Sequence, residues 1–153
     1  FVSTLKKPTM YQTIHSLHSV LAYIALGVLL LAVINAIYGL LNKKLFTSKD
    51  LRLSLFALIF CHIQLLIGFI LYFISPVGME GFSTEGAMKI PELRLTMLEH
   101  PLINIIAIIL ITIGWSQHKR QESQNGKFKK IAIFYTIGLL LILARIPWKT
   151  WLA

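Results

Sequence analysis

The chain is poor in cysteine, in acid and in charge of any kind. Cys61 is its only cysteine, which excludes an intrachain disulfide and a thiolate metal cluster. Six Asp and Glu stand against fifteen Lys and Arg, and charged residues make up only 14% of the 153, where a soluble domain carries about 25%. No nucleophile–base pair, Gly-rich phosphate loop or HExxH stretch is present, so hydrolase and nucleotide-driven readings have no support. There is no internal repeat, no low-complexity tract and no separate polar domain. The first apolar run is far longer than a signal peptide's and has no small-residue cleavage site after it, so no cleavable signal is expected.

What fills the chain instead is hydrocarbon. Hydrophobic residues account for 56%, with a mean hydropathy of +0.73. Four apolar runs stand out, at 11–41, 53–74, 93–115 and 131–151. About 20 helical residues are needed to cross a ~30 Å hydrocarbon layer, and spanning backbone must satisfy its own hydrogen bonds. The expected fold is therefore all-α, an integral membrane up-down four-helix bundle forming one domain over 1–153, with the lipid bilayer as its solvent. Nine of the cations lie in or beside the loops at 42–52 and 118–130. That is how topology charge is distributed rather than a nucleic-acid surface, so no nucleic acid is expected as a partner. Positive-inside bias puts those two loops in the cytoplasm and both termini, with the loop at 75–91, on the other side. Lys6, Lys7, Arg145 and Lys149 pull against that assignment.

Ionisable residues inside apolar runs mark candidate sites, because they are costly there and face a bundle interior. In the first run His18, Ala22, Ala25, Ala32, Ala36 and Gly39 recur at steps of three, four or seven, with His15 one turn before His18. Such a small-residue stripe lets membrane helices approach closely, and it turns both histidines inward. In the third run Glu99 and His100 stand side by side, and Asn104, Ala107 and Gly114 continue the His100 face. His18 and His100 each lie about seven residues inside their runs from the same side, or ~10 Å at 1.5 Å per residue. His62, with Gln64 nearby, lies about twelve residues in, ~18 Å by the same rise, and is a poor match to either. Two imidazoles at one level on different helices can ligate a haem iron from opposite sides, so His18 and His100 are the candidate metal ligands of a haem b. Arg145 enters the fourth run at comparable depth. Its partner is Glu99 or the carboxylates of a haem edge, since its planar fork suits both. His15 is a site neighbour, His62 a structural, quinone-contacting or proton-handling residue, His118 an interface residue, and Cys61 an apolar filler.

LHSVLAY at 17–23, FCHIQLLIGFILYFISP at 60–76, LEHPL at 98–102 and RIPW at 145–148, in this order over four runs, resemble a family of small bacterial inner-membrane proteins labelled cytochrome B-like. The resemblance covers nearly the whole chain. It implies a multi-pass protein of the bacterial inner membrane, with functional positions at His18, His62 and the Glu99–His100 pair. Ala22 and Tyr23 depart from an Arg-Trp frequent in that pattern, and Trp115 from a histidine, which counts against a second haem. A weaker similarity is to one half of haem A synthase, also a four-helix bundle with histidines near helix ends. The resulting expectation is a b-type electron carrier. Its rivals are a haem-free accessory subunit packed in a larger membrane complex, and a haem- or quinone-processing enzyme using Glu99 and His62 in proton transfer.

Overall fold

The computed structural model describes residues 9–153; Lys6, Lys7 and Pro8 lie outside the described residues. Helix α1, Met10–Leu41, opens on a capping box. The Thr9 hydroxyl accepts the Gln12 N–H at 3.2 Å and Gln12 Oε1 accepts the Thr9 N–H at 2.8 Å, so two orphan donors of the first turn are satisfied reciprocally. Helix α2, Ser48–Ile74, is held at its start by Asp50, whose carboxylate accepts the Thr47 N–H at 2.7 Å and Asn35 Nδ2 at 2.8 Å. Two short 3-10 turns, Met79–Ser83 and Ala87–Lys89, carry the chain to a third rod. This rod, Pro91–His118, is one turn of helix α3 (Pro91–Arg94), a π-turn (Leu95–Glu99) and helix α4 (His100–His118). Helix α5, Gln124–Ala144, starts on a Ser123 cap, and a last turn, α6, spans Trp148–Trp151.

The described residues are all-helical, and three helices are long and apolar enough to cross a membrane: α1, α2 with its following turn (Ser48–Ser83), and the third rod. The fourth apolar run behaves differently from the expectation. Its helix begins earlier, at Gln124, so that Lys127, Lys129 and Lys130 fall in its first two turns, and it ends earlier, at Ala144. The end has a local cause: Pro147 cannot donate to the ladder, and Arg145 leaves the helical region with φ −129° and ψ 20°.

The long helices pack in a ring, α1 on α2 and α5, α4 on α5 and α2. Their shared interior holds Leu29, Ala32, Ala36, Ala57, Ile111 and Tyr135, all nearly or fully buried. Ala25, Ala32, Ala36 and Gly39 of the expected small-residue stripe face it. The opposite sides are also apolar: Leu30, Leu31, Ile34, Leu66, Ile70, Phe73, Ile109 and Leu140 point outward. A helix that is hydrophobic all round suits lipid rather than water on its outer face.

His118, the last residue of α4, is 2% exposed. Its ring lies against Trp115 and Phe46, with centroids 4.6 and 5.6 Å away, and its Nδ1 bonds the Trp115 carbonyl.

Candidate functional site: a two-histidine cavity

Toward the end of the ring where α1 begins, the helices part around a cavity of about 570 Å³. His18 and His15 line it from α1, Gln64 and Gly68 from α2, His100 and Asn104 from the third rod, and Ile146 and Trp151 from the chain end. The rest of its wall is mostly apolar.

His18 and His100 meet across this space. Their ring centroids are 6.3 Å apart and the ring planes nearly perpendicular, at 86°. His100 is oriented by main chain. Its Nδ1 donates to the Arg145 carbonyl at 2.8 Å, a carbonyl left without a helical partner because α5 stops one residue earlier. With the proton on Nδ1, Nε2 keeps its lone pair free, the arrangement found behind metal-bound histidines. Asn104 Nδ2 donates to the His100 carbonyl at 2.6 Å. Its 3.2 Å approach to Nδ1 is no bond once that nitrogen carries the proton. His18 is held by packing and by its main chain: Gln64 Nε2 donates to the His18 carbonyl at 2.8 Å. A Cβ on Gly68 would stand 3.2 Å from His18 Cε1, so the imidazole occupies room that only glycine leaves. His18 Nδ1 and Gln64 Oε1 are both buried with no partner.

The π-turn sets where His100 faces. Pro101 follows it, and the Met97 carbonyl, which a regular helix would bond to the N–H of residue 101, takes the Tyr72 hydroxyl instead at 3.0 Å. The same turn explains a pairing that sequence reasoning missed. Arg94 Nε donates to Glu99 Oε1 at 2.8 Å. Residues five apart lie on different faces of an α-helix, but a π-turn bonds i to i+5 and brings them into line. The only cue in the sequence is Pro101 just after an ionisable pair.

The remaining candidates lie apart from the cavity wall. Glu99 joins Arg94 to Arg145, whose Nε is 3.4 Å from Glu99 Oε2; the carboxylate that Arg145 meets is therefore Glu99, and its half-exposed side chain does not line the cavity. His62 donates or accepts at its own helix, with Nδ1 2.8 Å from the Leu58 carbonyl and Nε2 3.4 Å from Thr112. Its depth carries it past the cavity floor. His15 is at the mouth, its ring centroid 5.8 Å from that of Tyr11. Cys61 is buried at the inner end of the wall. Among the described residues no three His, Cys, Asp or Glu converge as a metal-ligand set.

No family model, no curated protein and no solved structure matches this chain. The case for a function therefore rests on the geometry of the cavity.

Proposed function

We propose that this chain is an integral membrane four-helix bundle of the b-type cytochrome kind, holding haem b in the cavity between His18 and His100 and passing single electrons. The observation that carries the reading is the 6.3 Å between the two ring centroids. A metal–imidazole bond is about 2 Å, and adding the roughly 1 Å from nitrogen to ring centre on each side gives about 6 Å for two imidazoles on one metal. Three further features support it. His100 has its Nδ1 engaged and its Nε2 free, and His18 has a buried nitrogen that no protein group satisfies, whereas a structural histidine in an apolar bundle finds partners. The volume of about 570 Å³ lies within the roughly 300–1,000 Å³ of small-molecule sites. A centre with two protein ligands also needs the rest of its coordination from a macrocycle, which a bare ion lacks.

The chain's own residues would supply two imidazoles to hold the group, the dry apolar wall and a fixed orientation for His100 through the Arg145 carbonyl. Haem, when bound, would supply the one-electron iron chemistry. Glu99 meets both Arg94 and Arg145 beside the site, so its one negative charge offsets one of the two guanidiniums and the cluster stays net positive.

Nine of the fifteen Lys and Arg lie in or beside the 42–52 and 118–130 loops. By positive-inside bias that count supports an orientation with those loops in the cytoplasm of a bacterial cell and the cavity and both termini at the outer face of the inner membrane.

The test is a visible spectrum. Protein purified from haem-replete cells should give a reduced-minus-oxidised b-type band, and His18→Ala and His100→Ala should each abolish it while the chain still inserts. A colourless wild-type protein, or an unchanged band in either variant, overturns the reading.

A further inference from the structure

The far end of the ring carries a second, smaller cavity of about 330 Å³, lined among others by Phe46, Thr47, Ser48, His118, Lys119 and Lys127. Its walls are fixed. The Phe46 N–H donates to Gln124 Oε1 at 2.9 Å, tying the 42–47 loop to the start of α5, and the Phe46 ring packs edge-on against the buried Phe128, 5.0 Å between centroids. The two lysines come from different helix ends and have no carboxylate within 4 Å. Lys119 Nζ lies 4.8 Å from the Trp115 ring centre, and Lys127 Nζ lies 5.9 Å from that of Phe46, so aromatic faces, not anions, hold the two ammoniums beside the opening. Ser48 is the first residue of the 27-residue α2; the Asp50 carboxylate already caps that amino end through the Thr47 N–H and hydroxyl, 2.7 Å each, so the positive charge at the opening is that of the two lysines.

We propose that this cavity seats the phosphate headgroup of an acidic phospholipid. Two ammoniums and a serine hydroxyl at one opening suit a phosphate ester. The place suits a lipid rather than a soluble ester, because α2 and the third rod, both of membrane-crossing length, begin and end here, so the opening lies in the headgroup layer. Basic pockets between spanning helices are known headgroup sites, and each lysine near the surface contributes a roughly fivefold preference for anionic lipid. The inference rests on the chain spanning a membrane but not on the haem reading, and a colourless protein leaves it intact.

Native mass spectrometry of the detergent-solubilised full chain, with phosphatidylglycerol or phosphatidylcholine added, tests it. The wild-type protein should retain phosphatidylglycerol selectively. A Lys119→Gln, Lys127→Gln double variant should lose roughly ten- to thirtyfold of that retention, and the matching Lys→Arg double should keep it. A Lys49→Gln, Lys129→Gln double, which removes the same charge at exposed positions outside the cavity, should bind as the wild type does. Equal losses in the two glutamine doubles mean that only diffuse charge attracts lipid, and overturn the site. Displacement of the lipid by equimolar inorganic phosphate overturns the lipid as occupant.

Discussion

The two ends of the ring are built from the same four helices and do opposite things. At the basic end small residues let the helices close. A Cβ on Gly114 would lie 2.5 Å from Phe134 Cβ and 3.4 Å from the Lys130 carbonyl, Ala57 is fully buried, and Tyr135 reaches across to donate to the Ser54 carbonyl at 2.9 Å. At the other end Ala22 and Gly68 line the cavity. Two of the buried polar atoms without a partner, His18 Nδ1 and Gln64 Oε1, stand there, and Thr136 Oγ1 lies midway along α5.

Loss of the b-type band in the histidine variants is the largest expected effect, and it should leave the closed end untouched, with thermal melting in detergent moving little. Gly114→Leu attacks the other end. Phe134 Cβ and the Lys130 carbonyl are fixed to the α5 backbone, so overpacking should cost about 3 kcal/mol, read as a lowered Tm, and a near-normal Tm would mean the helices there are not in contact. Tyr135→Phe removes one buried hydrogen bond and keeps the ring, and should cost about 1 kcal/mol in the same melt. Gly68→Ala sharpens the contrast. A methyl 3.2 Å from His18 Cε1 should barely change Tm, because alanine's better helix propensity offsets the crowding, yet it should shift or broaden the absorption band by displacing one imidazole.

Much of this was legible in the sequence, and the parts that were not have definite causes. Apolar run length gave the rods, and the Ala/Gly steps of the first run gave its buried face, because both follow from helix period and need no partner. Equal depth brought His18 and His100 to one level, since rise per residue is nearly constant. Depth says nothing of the direction a side chain takes, and so the pairing of Arg145 with Glu99 rather than with the cavity could not be read. The π-turn breaks the rule of threes and fours, which hid Arg94. The burial of His118 was equally hidden, because its aromatic neighbour Phe46 comes from a distant loop.

His100 takes its direction from the carbonyl of residue 145, which every amino acid possesses. Replacing the arginine side chain therefore leaves the imidazole's acceptor in place. The determinant sits two positions on, at Pro147: it lacks the N–H that would bond the Leu143 carbonyl, which takes Trp148 Nε1 instead at 3.0 Å, and its ring disfavours helix in the residue before it, so α5 stops and the residue-145 carbonyl stays off a helical ladder. The aim of a ring on one rod is thus encoded by punctuation on another, and a change that merely let α5 run one turn further would unseat His100 without altering His100 itself.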